Sequence, residues 1–266
     1  MPSDYWACWS RHEPAGPNQP HPPLAIRSAV EHGWAAFSHC PLVLMGFTLI
    51  SGGANLVTQL FYRYESGQML SLVGKPDPIA IALAGGAWIL YALTGLWLVV
   101  GLMRGAQLAL NQGQPRLGEL IRVDSRAMLR CFGSLLLILV VLALIVRLAQ
   151  ASSWLLTLIQ PLLAPLPLVA GLAAIVYLSA DQILCLPLAL IGGLNPLAAF
   201  RSGRAATDPH WLQALGLTLV LLAIVLAGFL MLLVGLVVAL PVAACTLTAA
   251  YQQLFGKNDL GRLTAV

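Results

Sequence analysis

The sequence predicts an all-α polytopic transmembrane helix bundle of six spans, led by an N-terminal interfacial amphipathic helix, and three observations carry that reading. The first is a run of 48 residues, 209–256, without one Asp, Glu, Lys or Arg. As a single helix it would extend roughly 70 Å at 1.5 Å per residue, more than twice the hydrocarbon thickness of about 30 Å. It must fold back, and it reads as an antiparallel hairpin of two spans. The second observation is composition: 59% of the chain is hydrophobic and 9% charged, against about a quarter charged in a globular domain. The third is charge placement. If both termini lie on one side of the membrane, all fourteen Lys and Arg except Arg63, Lys75 and Arg147 fall on that side. Such an excess marks the cytoplasmic face. The net charge of +4 therefore reports orientation, and it gives no ground for a nucleic-acid partner.

Residues 1–23 contain six prolines and no apolar core like that of a signal peptide, so they read as a disordered cytoplasmic tail. Cys8, His12, His21, His32, His39 and Cys40 cluster early, yet their spacing matches no metal-ligand pair. The five cysteines are scattered and read as isolated thiols. Residues 24–39 place Ile26, Val30, Trp34 and Phe37 on one helical stripe, with Arg27, Ser28, Glu31 and His32 opposite. That pattern fits an in-plane helix at the headgroup boundary or a helix packed over the end of the bundle.

One membrane domain follows, from about 24 to 256, with spans expected at about 41–61, 79–103, 129–148, 167–191, 212–231 and 235–254. Tyr62 and Tyr64 close the first span as an aromatic belt. Gly101 and Gly105 in the second form a small-residue pair suited to close helix approach. Residues 104–130 carry Arg104, Arg116, Arg122, Arg126 and Arg130, all candidates for lipid-headgroup contact, and the Gly-Gln-Pro at 113–115 interrupts them. Residues 151–165 read as an external surface segment, residues 193–211 as a cytoplasmic loop, and residues 257–266 as a cytoplasmic tail.

Asp181 is the acidic residue placed inside a span. At the centre of a helix it would cost on the order of 2.5–3.5 kcal/mol to insert, so it must face the bundle and find a partner, or stay protonated. Gln182 sits beside it, and Pro187 frees a carbonyl in the preceding turn. With Asn55 and Gln59 of the first span, these form a candidate intramembrane polar cluster: either a polar pathway or interhelical glue. No HExxH, GxSxG or GxxxxGK[ST] pattern occurs, and Gly-Lys-Pro at 74–76 lacks the spacing and hydroxyl of a phosphate loop. No catalytic residue, metal or cofactor is therefore expected.

The motifs Pro187-Leu-Ala-Leu-Ile and Asn195-Pro-Leu-Ala-Ala-Phe-Arg-Ser-Gly, then Trp211, Pro241 and Ala250-Tyr251-Gln252-Gln253, carry a resemblance. So does Asn111-Gln-Gly-Gln-Pro before Leu117-Gly-Glu-Leu. Together, over roughly 24–255, they resemble bacterial families of six-span integral membrane proteins of unknown function. Those families are related to the membrane domain of some glycerophosphodiester phosphodiesterases. The phosphodiesterase catalytic domain has no counterpart here, so the resemblance implies topology and no activity. The expectation is a non-enzymatic protein of a bacterial inner or internal membrane that packs against other membrane components. The alternative is a small-solute or proton-coupled permease centred on Asp181.

Overall fold

A computed structural model describes residues 24–71, 78–111, 113–122 and 124–256. The expected tails, 1–23 and 257–266, and Lys75 lie outside the described residues. Ten α-helices and three 3-10 turns account for nearly everything described, and no strand is present among these residues. Among the described residues six stretches are long and apolar enough to cross a membrane: Pro41–Tyr64, Ile81–Leu110, Ser125–Leu158, Pro165–Leu190, Pro196–Leu230 and Val234–Phe255. The all-α polytopic bundle is the fold.

The first helix, α1 (Ile26–His39), packs along α10 (Leu232–Phe255). Its buried face is made of Ala29, Gly33, Ala36 and Phe37, while Trp34 is 56% exposed. The expected stripe thus turns by one position. Gly33 explains the shift: a Cβ there would sit 2.6 Å from the Thr246 backbone. Small residues let two backbones approach, and that contact outweighs burial of the larger Trp34 ring.

The next two helices, α2 (Pro41–Ser71) and α3 (Pro78–Leu110), pair along their length. The Gly101 and Gly105 pair does what its spacing predicts, with Phe47 seated on Gly101 and Leu44 on Gly105. A short α4 (Leu117–Ile121) tucks Leu120 against the same contact.

Then comes α5 (Ser125–Ile159), longer at both ends than the expected 129–148. Asp124 caps it by accepting hydrogen bonds from the Arg126 and Ala127 N–H groups, and its helical residues end two before Pro161. Most of the segment expected as an external surface stretch is therefore helix. Arg147 lies inside this helix rather than at its end.

The fourth span is not one helix. It consists of α6 (Pro165–Asp181), a 3-10 turn (Gln182–Leu184) and α7 (Cys185–Leu190). Pro187 has no N–H to give Ile183, and its ring crowds that carbonyl, so the irregular turn falls one turn before the proline. The expected loop 193–211 is instead mostly α8 (Pro196–Thr207), which folds back on α7 and α5 and buries Ala199, Gly203, Ala206 and Thr207. A 3-10 turn (Asp208–His210) leads into α9 (Trp211–Leu230).

The closing hairpin of α9 and α10 matches the expected 212–231 and 235–254 within a few residues. Its turn is tight because Gly228 and Gly235 meet: a Cβ on Gly235 would lie 2.3 Å from the Gly228 carbonyl oxygen. Half of the most apolar stretch of α10 is buried, against 11% of that of α5. The core is therefore gathered round the second half of α10, where α1, α3, α7 and α9 converge. Much of α5, α6 and α9 presents apolar side chains outward, among them Leu139, Leu144, Leu172 and Leu222.

Candidate functional site

The break in the fourth span sets the polar site. Asp181 is the last residue of α6 and is 1% exposed. Its Oδ2 accepts a hydrogen bond from the Gln182 amide, Nε2 to Oδ2, at 2.9 Å. Its Oδ1 accepts from the Thr207 hydroxyl at 2.5 Å. The same hydroxyl oxygen lies 3.0 Å from the Asp181 carbonyl and 2.9 Å from that of Gly203. One turn of α6, the 3-10 segment and the end of α8 are thereby tied together.

Depth on this flank follows from the charges. Arg204 and Asp208 form an ion pair at 3.6 Å with side chains 55% and 45% exposed, which no hydrocarbon layer tolerates. The Tyr177 hydroxyl donates to Asp208, and the Tyr177 and Trp211 rings lie 6.1 Å apart. Tyr and Trp beside an exposed ion pair mark an interfacial belt. Asp181 is thus buried in protein at the height of that belt, nearer a membrane face than its place in the sequence implies.

Asn55 and Gln59 belong elsewhere. Asn55 donates to the Tyr91 carbonyl and to Thr94 Oγ1, both at 3.0 Å, and Thr58 joins Thr94 at 3.0 Å. This polar seam fastens α2 to α3, and Gln59 lies half-buried one turn further along α2. Asp181 and Gln182 have their hydrogen bonds within the α6 to α8 set. No hydrogen bond joins the two sets among the described residues.

The arginines divide by role. Arg104 reaches the Asp124 carboxylate at 2.5 Å and the Arg122 carbonyl at 3.5 Å, closing the connection from α3 to α5. Burial would push the Asp124 carboxyl up, but the Ala127 N–H, the Arg104 guanidinium and the Arg126 N–H together hold it below the ordinary carboxylate value of 3.8. Arg116, Arg122 and Arg126 are exposed and Arg130 is half-buried, all near the end of the bundle where α3 stops and α5 starts.

No known protein family, curated protein or solved structure matches this chain. Among the described residues no three His, Cys, Asp or Glu side chains come together. The residue that sequence reasoning missed is Thr207. A signal existed: Gly203 and Thr207 are spaced four apart, and in α8 they form the buried edge that meets α7 and Asp181.

Proposed function

We propose that this is a non-enzymatic integral membrane protein of a bacterial inner or internal membrane, with both termini cytoplasmic, which works by packing against and organising other membrane components. The observation that carries the reading is the uneven burial of the bundle. A tight core surrounds α10, whereas only 11% of the most apolar stretch of α5, and 17% of that of Pro196–Leu230, is buried. The surfaces of α5, α6 and α9 are long and largely apolar, broken on α5 by the exposed Arg126 and Arg147, and available to lipid or to another membrane helix. The closed, hydrogen-bonded state of Asp181 supports glue over a pathway. The orientation rests on the Lys and Arg distribution, and kinship to the membrane domain of glycerophosphodiester phosphodiesterases rests on the motifs quoted above. No soluble or nucleic-acid partner is invoked.

The test is isolation of the tagged full chain in polymer-bounded native membrane discs, followed by identification of what accompanies it. Repeated recovery of the same membrane protein, lost when Leu139 and Leu144 are replaced by Ala, supports the proposal. Recovery of the chain with bulk lipid alone overturns it.

A second reading, a small-solute or proton-coupled permease, is favoured by one feature: the fourth span breaks at its carboxyl, as in transporters with discontinuous helices. An Asp181→Asn variant separates the two. Proton-linked uptake by membrane vesicles would vanish in that variant, while a packing role would persist.

A further inference from the structure

We propose that the start of α5 is a site for one anionic phospholipid, its phosphate held by Arg122, Arg126 and Arg130 and its chains lying on Leu129, Phe132 and Leu136. The charges come first. Among the described residues, Glu31 is taken by Arg27, Asp124 by Arg104 and Asp208 by Arg204. Arg122, Arg126 and Arg130 are left with no ion pair and no side-chain hydrogen bond. Glu119, the other acid on this connection, is exposed and pairs with none of them.

Arg130 makes the vacancy more than a solvated face. It is half-buried, one turn before Gly133, where α8 crosses so closely that a Cβ would lie 2.7 Å from Pro196 Cγ. A guanidinium partly withdrawn from water needs an opposite charge or acceptors to compensate it. Arg126 stands one turn nearer the helix start and is exposed. Side chains on a helix lean toward its N-terminus, so the stems of both arginines tilt toward the end of the bundle. Two guanidinium forks one turn apart suit the oxygens of a phosphate, which accepts two hydrogen bonds from each.

The neighbouring surface identifies the anion as a lipid. Arg126, Leu129, Phe132 and Leu136 follow at three- and four-residue steps, so they form one stripe of α5. Leu129, Phe132 and Leu136 are all exposed, Leu129 by 71%. Charge therefore gives way to bare hydrocarbon within two turns of one helix, in the order headgroup then acyl chain. Beside it the Trp97 indole N–H donates to the Ile121 carbonyl at 3.3 Å, the placement of a tryptophan in the headgroup layer. A soluble phosphate would use the arginines and leave the stripe uncovered. The site is independent of the packing role proposed above, whose test reads a protein companion.

The experiment titrates the full chain in mild detergent with phosphatidylglycerol or phosphatidylcholine and counts retained lipid by native mass spectrometry. The expected result is saturable retention of phosphatidylglycerol over phosphatidylcholine. Its apparent affinity should fall about five-fold in Arg126→Gln, an exposed position that folding does not need, and roughly thirty-fold in Arg126→Gln/Arg130→Gln. Arg27→Gln removes the same charge from α1 and should leave retention unchanged. Equal retention of the two lipids overturns the proposal, and so does an equal loss in Arg27→Gln and Arg126→Gln, which marks diffuse attraction. Displacement of phosphatidylglycerol by an equal concentration of glycerol phosphate also overturns it, since the anion alone would then suffice.

Discussion

The Thr207 hydroxyl sits 2.5 Å from Asp181 Oδ1 and 3.0 Å from the Asp181 carbonyl oxygen, so a residue at the end of α8 closes the break in the fourth span. Removing that hydroxyl leaves a buried carboxyl with only Gln182 as partner. Thr207→Val, which keeps the shape, should destabilise the protein by about 1–3 kcal/mol. Thr207→Ser should be far milder. Thermal unfolding of the purified protein distinguishes them, and equal melting points would show that the tie carries no weight.

Gly33 is where α1 meets α10. A methyl group there would lie 2.6 Å from Thr246 Cα and N, and a backbone cannot step aside as a flexible side chain can. Gly33→Ala should cost roughly 1–3 kcal/mol and Gly33→Leu should detach α1. Detachment would be read as new protease cleavage within 26–39, with the rest of the bundle still protected.

Asp124 should make stability depend on acid. Its carboxyl titrates below its ordinary value of 3.8 because the folded protein holds the charged form with the Ala127 and Arg126 N–H groups and the Arg104 guanidinium. The unfolded chain therefore binds the proton first, and the stabilisation is present above the ordinary value and disappears as pH falls through the lowered one. Asp124→Asn should melt lower than the unmodified protein at neutral pH, and the gap should close in strong acid. High salt should narrow it too, because the pair is exposed.

Labelling should place Arg63 and Arg116 on opposite faces of the membrane. Each is exposed, one near the end of Pro41–Tyr64 and the other ahead of α4. In a chain cleared of native cysteines, Arg63→Cys should react with an impermeant maleimide from the periplasmic side. Arg116→Cys and Lys257→Cys should react only after the membrane is opened. Of the native thiols, Cys131, Cys185 and Cys245 are 0% exposed and should stay unlabelled in the folded protein.

Much of this fold was legible in the amino acids because hydrophobicity and charge act over whole spans. The uncharged run 209–256 required a hairpin, and α9 and α10 are that hairpin. Where helix ends were at stake the same signal failed: apolar length reports lipid thickness, while a helix runs on to its cap, as α5 does from Asp124 to Ile159. The sequence 193–211 looked like loop because its arginines and Asp208 need water. Helicity needs only local backbone bonds, and α8 has both. Asp181 was singled out for its cost in lipid and Gln182 as its neighbour; the two are buried and hydrogen-bonded to each other. Thr207 escaped notice because its four-residue spacing from Gly203 marks a packing face but does not point to Asp181, 26 positions away; only the fold of α8 against the fourth span brings the two together. Asn55 finds its partners, Tyr91 and Thr94, on α3, positions also far from it in the chain.

The embrace of α1 by α10 joins the beginning of the described chain to its end. A ribosome makes α10 after α1, so during synthesis the close contact of Gly33 with Thr246 forms only once the closing hairpin enters the bilayer. A chain that stops before α10 leaves Gly33 without that partner. Such a chain should therefore hold α1 more loosely than the complete bundle does.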